Sequence, residues 1–156
     1  MNRIEALKAN MNDGTAALWR NVRPMPEDKL DWRPTPESRT VRELLEELVM
    51  TTDFTAEQLL TKKMPEMKWG EPSEARSIDQ LAVSYAEATK KFLTAVEAFP
   101  ESELLEMVEM PWGTLSYFQI VSYPYWNLMY HYDRLHTSKR CTEIRKCTNL
   151  ADDPDW

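Results

Sequence analysis

The sequence has 156 residues, of which 26 are acidic and 19 basic, and its formal net charge is −7. We expect one domain over residues 1–156, because a chain of this length can bury about 70% of the surface that its unfolded form exposes. The basic residues are scattered along the chain, which excludes the positive stripe that nucleic-acid binding requires. The N-terminal stretch has no apolar secretion signal, and no segment reaches the ~20 apolar residues of a membrane span. The sequence therefore predicts a cytoplasmic protein without a membrane partner.

The composition favours a helical fold that needs no disulfide bonds. The chain is 42% hydrophobic but has only 3 glycines, fewer than the turns of a sheet protein of this size usually need. Its two cysteines, Cys141 and Cys147, have the spacing neither of a CxxC redox pair nor of paired zinc ligands. We expect two free thiols in a reducing compartment.

The first predicted helix covers residues 2–22, with Asn2 as its N-cap. Apolar or small residues recur in it at spacings of three and four: Ile4, Leu7, Met11, Gly14 and Leu18. The helix ends before "RPMPEDKLDWRPTPESR", whose four prolines exclude a regular helix. In this long connection we expect Leu30 and Trp32 to pack against the helices, and Trp32 to shape one end of a substrate pocket.

Two capping boxes predict the starts of the next two helices. "TVRE" places Thr40 as the N-cap of a second helix that extends to about residue 62. "SIDQ" places Ser77 as the N-cap of a third helix that ends at Pro100. The third helix carries one apolar stripe: Ile78, Leu81, Tyr85, Ala88, Phe92 and Val96.

The fourth predicted helix follows a short extended or irregular segment at residues 101–113, and Thr114 is its predicted N-cap. Pro124 should bend this helix. Its predicted buried stripe is Phe118, Val121, Tyr125, Leu128, Tyr132 and Leu135. With a short C-terminal helix or tail at 138–150, these elements predict an all-α four-helix bundle with long interhelical loops.

A second stripe on the fourth helix is polar and lies beside the apolar one. It contains Asn127, His131 and Arg134. Because Asn127 and His131 are four residues apart, they share a helical face, as paired metal-ligating histidines do. On the second helix, Glu47 similarly flanks the apolar face. The aromatic residues around Tyr130 are typical of either a substrate pocket or a packed core or interface.

These features resemble the DinB-like superfamily of four-helix bundles, also called the YfiT-like or metal-dependent thiol-transferase fold. The resemblance rests on the helix order and on "LDWRPTPESRTVRELLEEL", "PWGTLSYFQIV" and "NLMYHYDRL", and it covers roughly residues 2–140. In that family a nickel or zinc ion is held by one histidine of the second helix and two histidines of the last. The corresponding positions here are Glu47, Asn127 and His131, so only His131 matches by residue type.

The resemblance implies a small-molecule enzyme that acts as a thiol transferase, hydrolase or isomerase. It also implies a degenerate nickel or zinc site formed by Glu47, Asn127 and His131, a low-molecular-weight thiol as co-reactant, and a homodimer. Arg134, Trp32 and Tyr130 are the candidate substrate-binding residues, with Arg134 attracting an anionic group.

The residue chemistry leaves a second function open. A carboxylate and an imidazole can ligate zinc, but an amide oxygen is a weak neutral donor. In the alternative, Glu47 and His131 form a buried ion pair or hydrogen bond that Asn127 completes. The protein is then a metal-free ligand-binding or dimerising stress-related protein without catalysis. Both interpretations predict that Glu47 and His131 meet across the bundle.

Overall fold

The computed structural model describes residues 3–33, 35–66 and 76–148, with only the backbone from residue 137 onward. The predicted N-cap Asn2 and the side chains of Cys141 and Cys147 lie outside the described residues. Within the described ranges, no helix combines the length and the apolarity that crossing a membrane requires.

Four long helices form a bundle, which confirms the predicted all-α fold. They are α1 (Arg3–Val22), α2 (Val41–Thr61), α3 (Ile78–Ala98) and α4 (Tyr117–Thr148). A two-stranded antiparallel hairpin of β1 (Met107–Met110) and β2 (Gly113–Ser116) precedes α4. α2 packs along both α3 and α4, and α1 packs along α4.

Both predicted capping boxes are present. The Glu43 backbone N–H donates to Thr40 Oγ1 at 3.1 Å, and the Thr40 N–H donates to the Glu43 carboxylate at 2.8 Å. Ser77 and Gln80 make the corresponding pair of bonds at the start of α3. Each cap satisfies backbone donors that the first helical turn leaves unpaired, which contributes about 1 kcal/mol.

The predicted N-cap of the fourth helix was wrong. Thr114 lies in β2, where its hydroxyl donates to Glu109 Oε1 across the hairpin at 2.9 Å. Ser116 caps α4 instead: its Oγ accepts from the Gln119 N–H at 3.3 Å, and its own N–H donates to Gln119 Oε1 at 2.9 Å. The capping box is therefore "SYFQ" at residues 116–119. Thr114 is paired within the hairpin and does not belong to this capping box.

The buried face of α4 also differs from the predicted stripe. Phe118 is exposed, and Tyr125 and Tyr132 are only half-buried. The buried residues are Tyr117, Ile120, Val121, Pro124, Asn127, Leu128, His131 and Leu135. This face is broad because α4 packs against both α1 and α2. Asn127 and His131 of the stripe expected at the flank are therefore part of the core, whereas Arg134 is exposed.

α4 is longer than predicted. The backbone remains helical to Thr148, so residues 138–148, expected as a separate short helix or tail, continue α4. Pro124 lies inside the helix, as predicted. The predicted helical extents of α1, α2 and α3 are confirmed to within one or two residues.

The bundle core contains a polar group at its centre. The Tyr85 hydroxyl of α3 is buried among the hydroxyls of Thr15 from α1, Thr52 from α2 and Thr89 from α3. Burial raises the pKa of Tyr85, and the threonine hydroxyls partly offset that rise. The Trp19 ring meets the Tyr85 ring edge-on, with centroids 6.2 Å apart. Three of the four helices thus contribute to one cluster.

α1 packs against α4 at Gly14. A Cβ atom added at this position would lie 2.8 Å from Leu128 Cδ2, well inside normal contact. Leu128 is fully buried and cannot move into solvent. The absence of a side chain at Gly14 therefore sets the spacing of these two helices.

We expect Gly14→Ala to destabilise the protein by about 1 kcal/mol, because overpacking against Leu128 exceeds the gain in helix propensity. In a Leu128→Ala background the same substitution should stabilise the protein by up to about 1 kcal/mol, since the clash is gone. Urea denaturation of the four members of this double-mutant cycle measures both values. Equal effects of Gly14→Ala in the two backgrounds would contradict the proposed contact.

Candidate functional site between α2 and α4

The predicted contact between Glu47 and His131 is present. Glu47 Oε1 on α2 lies 3.2 Å from His131 Nε2 on α4. The His131 side chain is 2% exposed and Asn127, one turn earlier on the same face, is 8% exposed. Because α2 and α4 pack side by side, the three predicted residues lie on the seam between these helices. We call Glu47, Asn127 and His131 the polar trio.

Arg39 is a member of the site that sequence reasoning missed. It forms a salt bridge with the second oxygen of Glu47. Arg39 immediately precedes the N-cap Thr40, whose extended backbone (φ −75°, ψ 163°) marks the turn into α2. A basic residue just before a capping box was the available signal, but only the folded chain shows which carboxylate it meets.

His131 is neutral at physiological pH. Burial lowers its pKa to about 4, and the positive charges of Arg39 and Arg134 add to the effect. The contact with Glu47 therefore joins a carboxylate to a neutral imidazole. A carboxylate that is removed from water usually pairs with a cation. For Glu47 that cation is Arg39.

Several polar atoms of the trio have no hydrogen-bond partner among the described residues. They are Asn127 Nδ2, both imidazole nitrogens of His131 and Glu47 Oε2. Nε2 lies close to Glu47, and Oε2 pairs with Arg39 as an ion pair, but neither contact has hydrogen-bond geometry. A buried polar atom without a partner costs about 1–3 kcal/mol, so such atoms mark places where water or a ligand group completes the network. The trio therefore offers unpaired polar atoms to a ligand or to water, on side chains that two packed helices hold in place.

The predicted substrate-binding residues occupy different places. Arg134 and Tyr130 are exposed and stack on each other, with the guanidinium carbon 4.8 Å from the ring centroid. The Tyr130 ring also meets the His131 ring at 5.3 Å, which places this pair beside the trio. Trp32 is half-buried in the turn after the 3-10 helix Glu27–Lys29. Trp32 lines neither the cavity between α2, the hairpin and α4 nor the one between α1, α3 and α4, and its ligand-binding role stays a prediction.

The two ends of the seam on either side of the trio differ in charge and packing. Toward the start of α2 and beyond His131 on α4 lie Arg39 and Arg134. In the opposite direction a cavity of about 290 Å³ begins one helical turn away, at Thr51 on α2 and Tyr123 on α4. The seam thus has positively charged side chains at one end and a cavity at the other.

The trio fits a resident nickel or zinc ion poorly. Two donors on one tetrahedral zinc lie about 3.3–3.5 Å apart, so the 3.2 Å between Glu47 and His131 is compatible with shared ligation. However, Arg39 occupies the second Glu47 oxygen, and Arg39 with Arg134 outweighs the one carboxylate. No group of three or more His, Cys, Asp or Glu side chains converges within the described chain, so the third donor would be the weak amide oxygen of Asn127.

Comparison with known proteins defines the class. A profile of the DinB superfamily matches residues 11–133, which is most of the chain, and the protein belongs to that superfamily. It is similar to the crystal structure of a DinB-like protein, YjoA of Bacillus subtilis, with a TM-score of 0.68 and 15% sequence identity. The alignment covers 91% of this chain and 93% of that one. No curated protein matches this sequence. The structural similarity establishes the fold, which by itself does not define an activity.

The lowered pKa of His131 predicts a pH dependence of stability. Between pH 6.5 and about 4 the unfolded chain binds a proton at His131 that the folded chain does not. The free energy of unfolding should therefore fall as the pH drops through this window, by up to about 3 kcal/mol. Urea denaturation at several pH values measures the slope.

The chain supplies a matched control, because its only other histidine is His136. His131→Gln should remove the part of the pH dependence that His131 causes, whereas His136→Gln should leave it, since His136 does not contact Glu47. Proton NMR of the His136→Gln protein follows the remaining imidazole directly. A His131 titration midpoint at or above 6 would contradict the neutral, buried imidazole.

Proposed function

We propose that this DinB-superfamily protein binds a small organic molecule with an anionic group at the arginine end of the α2–α4 seam, without a resident transition metal. The observation that carries the proposal is the charge balance of the trio. Arg39 already pairs with Glu47, so Arg134 supplies a positive charge beside a neutral imidazole. An anion would offset that charge, whereas a divalent cation would increase it.

Arg134 is available for such a ligand. Among the described residues it makes no ion pair, and its stacking on Tyr130 leaves guanidinium N–H groups exposed. A guanidinium binds a carboxylate through two parallel charge-assisted hydrogen bonds. The Tyr130 ring, 57% exposed, offers an apolar surface beside the charge.

Asn127 and His131 provide neutral hydrogen-bonding groups for the rest of the ligand. The amide nitrogen of Asn127 is a donor, and a neutral imidazole presents one donor and one acceptor. If Nε2 carries the proton and faces Glu47, Nδ1 is an acceptor for a hydroxyl, thiol or water. A bound anion would weaken the influence of the two arginines and raise the basicity of this imidazole, so binding and proton transfer would be coupled.

The second candidate function is the metal-dependent transfer of a low-molecular-weight thiol, or a hydrolysis, by a homodimeric enzyme. The 3.2 Å separation of Glu47 Oε1 and His131 Nε2 favours it, because one ion could bind both atoms. When bound, zinc or nickel would supply an activated thiolate or water. This candidate requires Arg39 to tolerate a cation on the carboxylate that it neutralises.

We expect benzoate to stabilise the protein more than benzamide, its neutral analogue of nearly the same shape. Arg134→Gln should weaken benzoate binding about tenfold, because it removes the charge-assisted hydrogen bonds. Calorimetric titration measures both affinities. Arg20→Gln is the matched control, since Arg20 is also exposed on a helix but lies on α1. Equal binding of benzoate and benzamide would contradict an anion site.

Zinc binding separates the two candidates. We expect the parent protein, purified without a chelating tag, to bind zinc only weakly, because its donor set includes one amide and a carboxylate already paired with Arg39. Glu47→His combined with Asn127→His should create a much tighter nickel or zinc site, since three neutral imidazoles then share the seam. Submicromolar zinc affinity in the parent would overturn the metal-free proposal. A folded double variant that binds no zinc would show that these three positions do not converge on one ion.

A further inference from the structure

The cavity at the other end of the seam lies between the second half of α2, the β-hairpin and the first turns of α4. Its volume of about 290 Å³ is close to the lower limit for small-molecule sites. The wall is mostly apolar and is formed in part by Phe54, Met110, Trp112, Leu115, Ile120 and Tyr123. The cavity shares no lining residue with the polar trio, so it is a separate feature of the molecule.

The charged groups among the described lining residues of this cavity all have one sign. Asp53, Glu57 and Glu66 belong to them, and none of the described lining residues is basic. Asp53 is partly neutralised by Lys91, whose ammonium nitrogen lies 2.8 Å from its Oδ1. Glu57 and Glu66 are exposed and form no ion pair with a described residue. The described part of the rim therefore carries a net negative charge.

The aromatic side chains at the mouth are suited to a cation as well. Trp112 and Tyr123 are 57% and 47% exposed, although both rings are large enough to favour burial. Trp112 is held at the tip of the hairpin, next to Gly113, whose φ of 138° only glycine adopts readily. The faces of such rings attract ammonium groups, most strongly for tryptophan.

A buried amide is placed to orient the ligand. Gln58 is 2% exposed and lines the cavity. Its nitrogen donates to Met110 Sδ at 3.1 Å, and thioether sulfur is a weak acceptor. Its side-chain oxygen Oε1, unlike its backbone carbonyl, accepts no hydrogen bond from a described residue, which leaves an acceptor for an N–H group. Such a buried polar group in an apolar wall is typical of a site that fixes the orientation of a small ligand.

We propose that this cavity binds a small primary amine with an aromatic body, in its protonated form. The ring would insert between Phe54, Met110 and Ile120, and the ammonium group would lie at the mouth near Trp112 and the free carboxylate of Glu57. This site is independent of the anion site, because its charge is opposite and it uses different residues.

The test compares three indoles of similar size by calorimetric titration of the full chain carrying Arg134→Gln, which weakens the anion site so that the cavity is measured. Tryptamine carries an ammonium group, tryptophol is neutral, and indole-3-propionate carries a carboxylate. We expect tryptamine to bind about tenfold more tightly than tryptophol, and indole-3-propionate to bind more weakly at this site than either. Added salt should weaken the binding of tryptamine but not that of tryptophol.

Variants locate the site. Glu57→Gln removes the charge with little change in volume and should weaken tryptamine binding about threefold or more, whereas it should leave tryptophol binding unchanged. Glu87→Gln, an exposed carboxylate on α3, is the matched control. Trp112→Ala should weaken both ligands, and circular dichroism checks that this exposed position does not affect folding. Arg134→Gln should leave tryptamine binding unchanged, which distinguishes this site from the anion site.

Three results would overturn the proposal. One is equal affinity for the three indoles, and another is unchanged tryptamine binding in Glu57→Gln. The third is the combined finding that the protein binds no tryptamine and forms a dimer that Trp112→Ala dissociates. In that case a second copy of the chain covers the cavity. Sedimentation velocity of the parent and the Trp112→Ala variant detects this last outcome.

Discussion

The Glu47 carboxylate meets the His131 imidazole between α2 and α4, and Arg39 pairs with the other carboxylate oxygen. A buried carboxylate without a partner is costly, and a protonated histidine would be the usual partner. Here the cation comes from outside the bundle, so the imidazole can stay neutral. The seam between α2 and α4 consequently holds a carboxylate, an amide and an imidazole without a net negative charge.

This arrangement changes what the site of a DinB-superfamily protein can bind. Three imidazoles would form a neutral set of strong donors for a transition metal, whereas Glu47, Asn127 and His131 form a weaker set that two arginines surround. The same fold can therefore favour a different ligand through three side chains and one arginine at a helix start. Small changes at fixed backbone positions are enough because the helices already place these positions opposite one another.

The seam as a whole separates charge along its length. Arg39 and Arg134 lie at one end, and the carboxylates of Asp53, Glu57 and Glu66 lie at the other, beyond an apolar cavity. The tightly packed trio lies between them. The net charge of −7 says nothing about this separation, because it averages two regions of opposite sign. Under the two proposals, these regions select ligands of opposite charge within one bundle.

Local signals in the sequence determined most of the secondary structure. The capping boxes at Thr40 and Ser77 and the apolar spacing of the first three helices act within one or two turns, so they can be read without the fold. The same is true of the four-residue spacing of Asn127 and His131. Thr114 was assigned wrongly because its role depends on pairing between strands, and the α4 stripe was misplaced because α4 packs against two helices.

Only the tertiary structure decided which groups meet. The pairing of Arg39 with Glu47 joins the start of α2 to its own second turn across a bend, and His131 reaches Glu47 across 84 residues of chain. The state of His131 follows from its burial and from two arginines; Arg134 is visible three residues along the sequence, but the burial and Arg39 are not. The cavity likewise needs α2, the hairpin and α4 together. Sequence patterns specify which residues share a face of a helix. The charge and burial of a site depend on which faces pack together, and this packing is a property of the whole bundle.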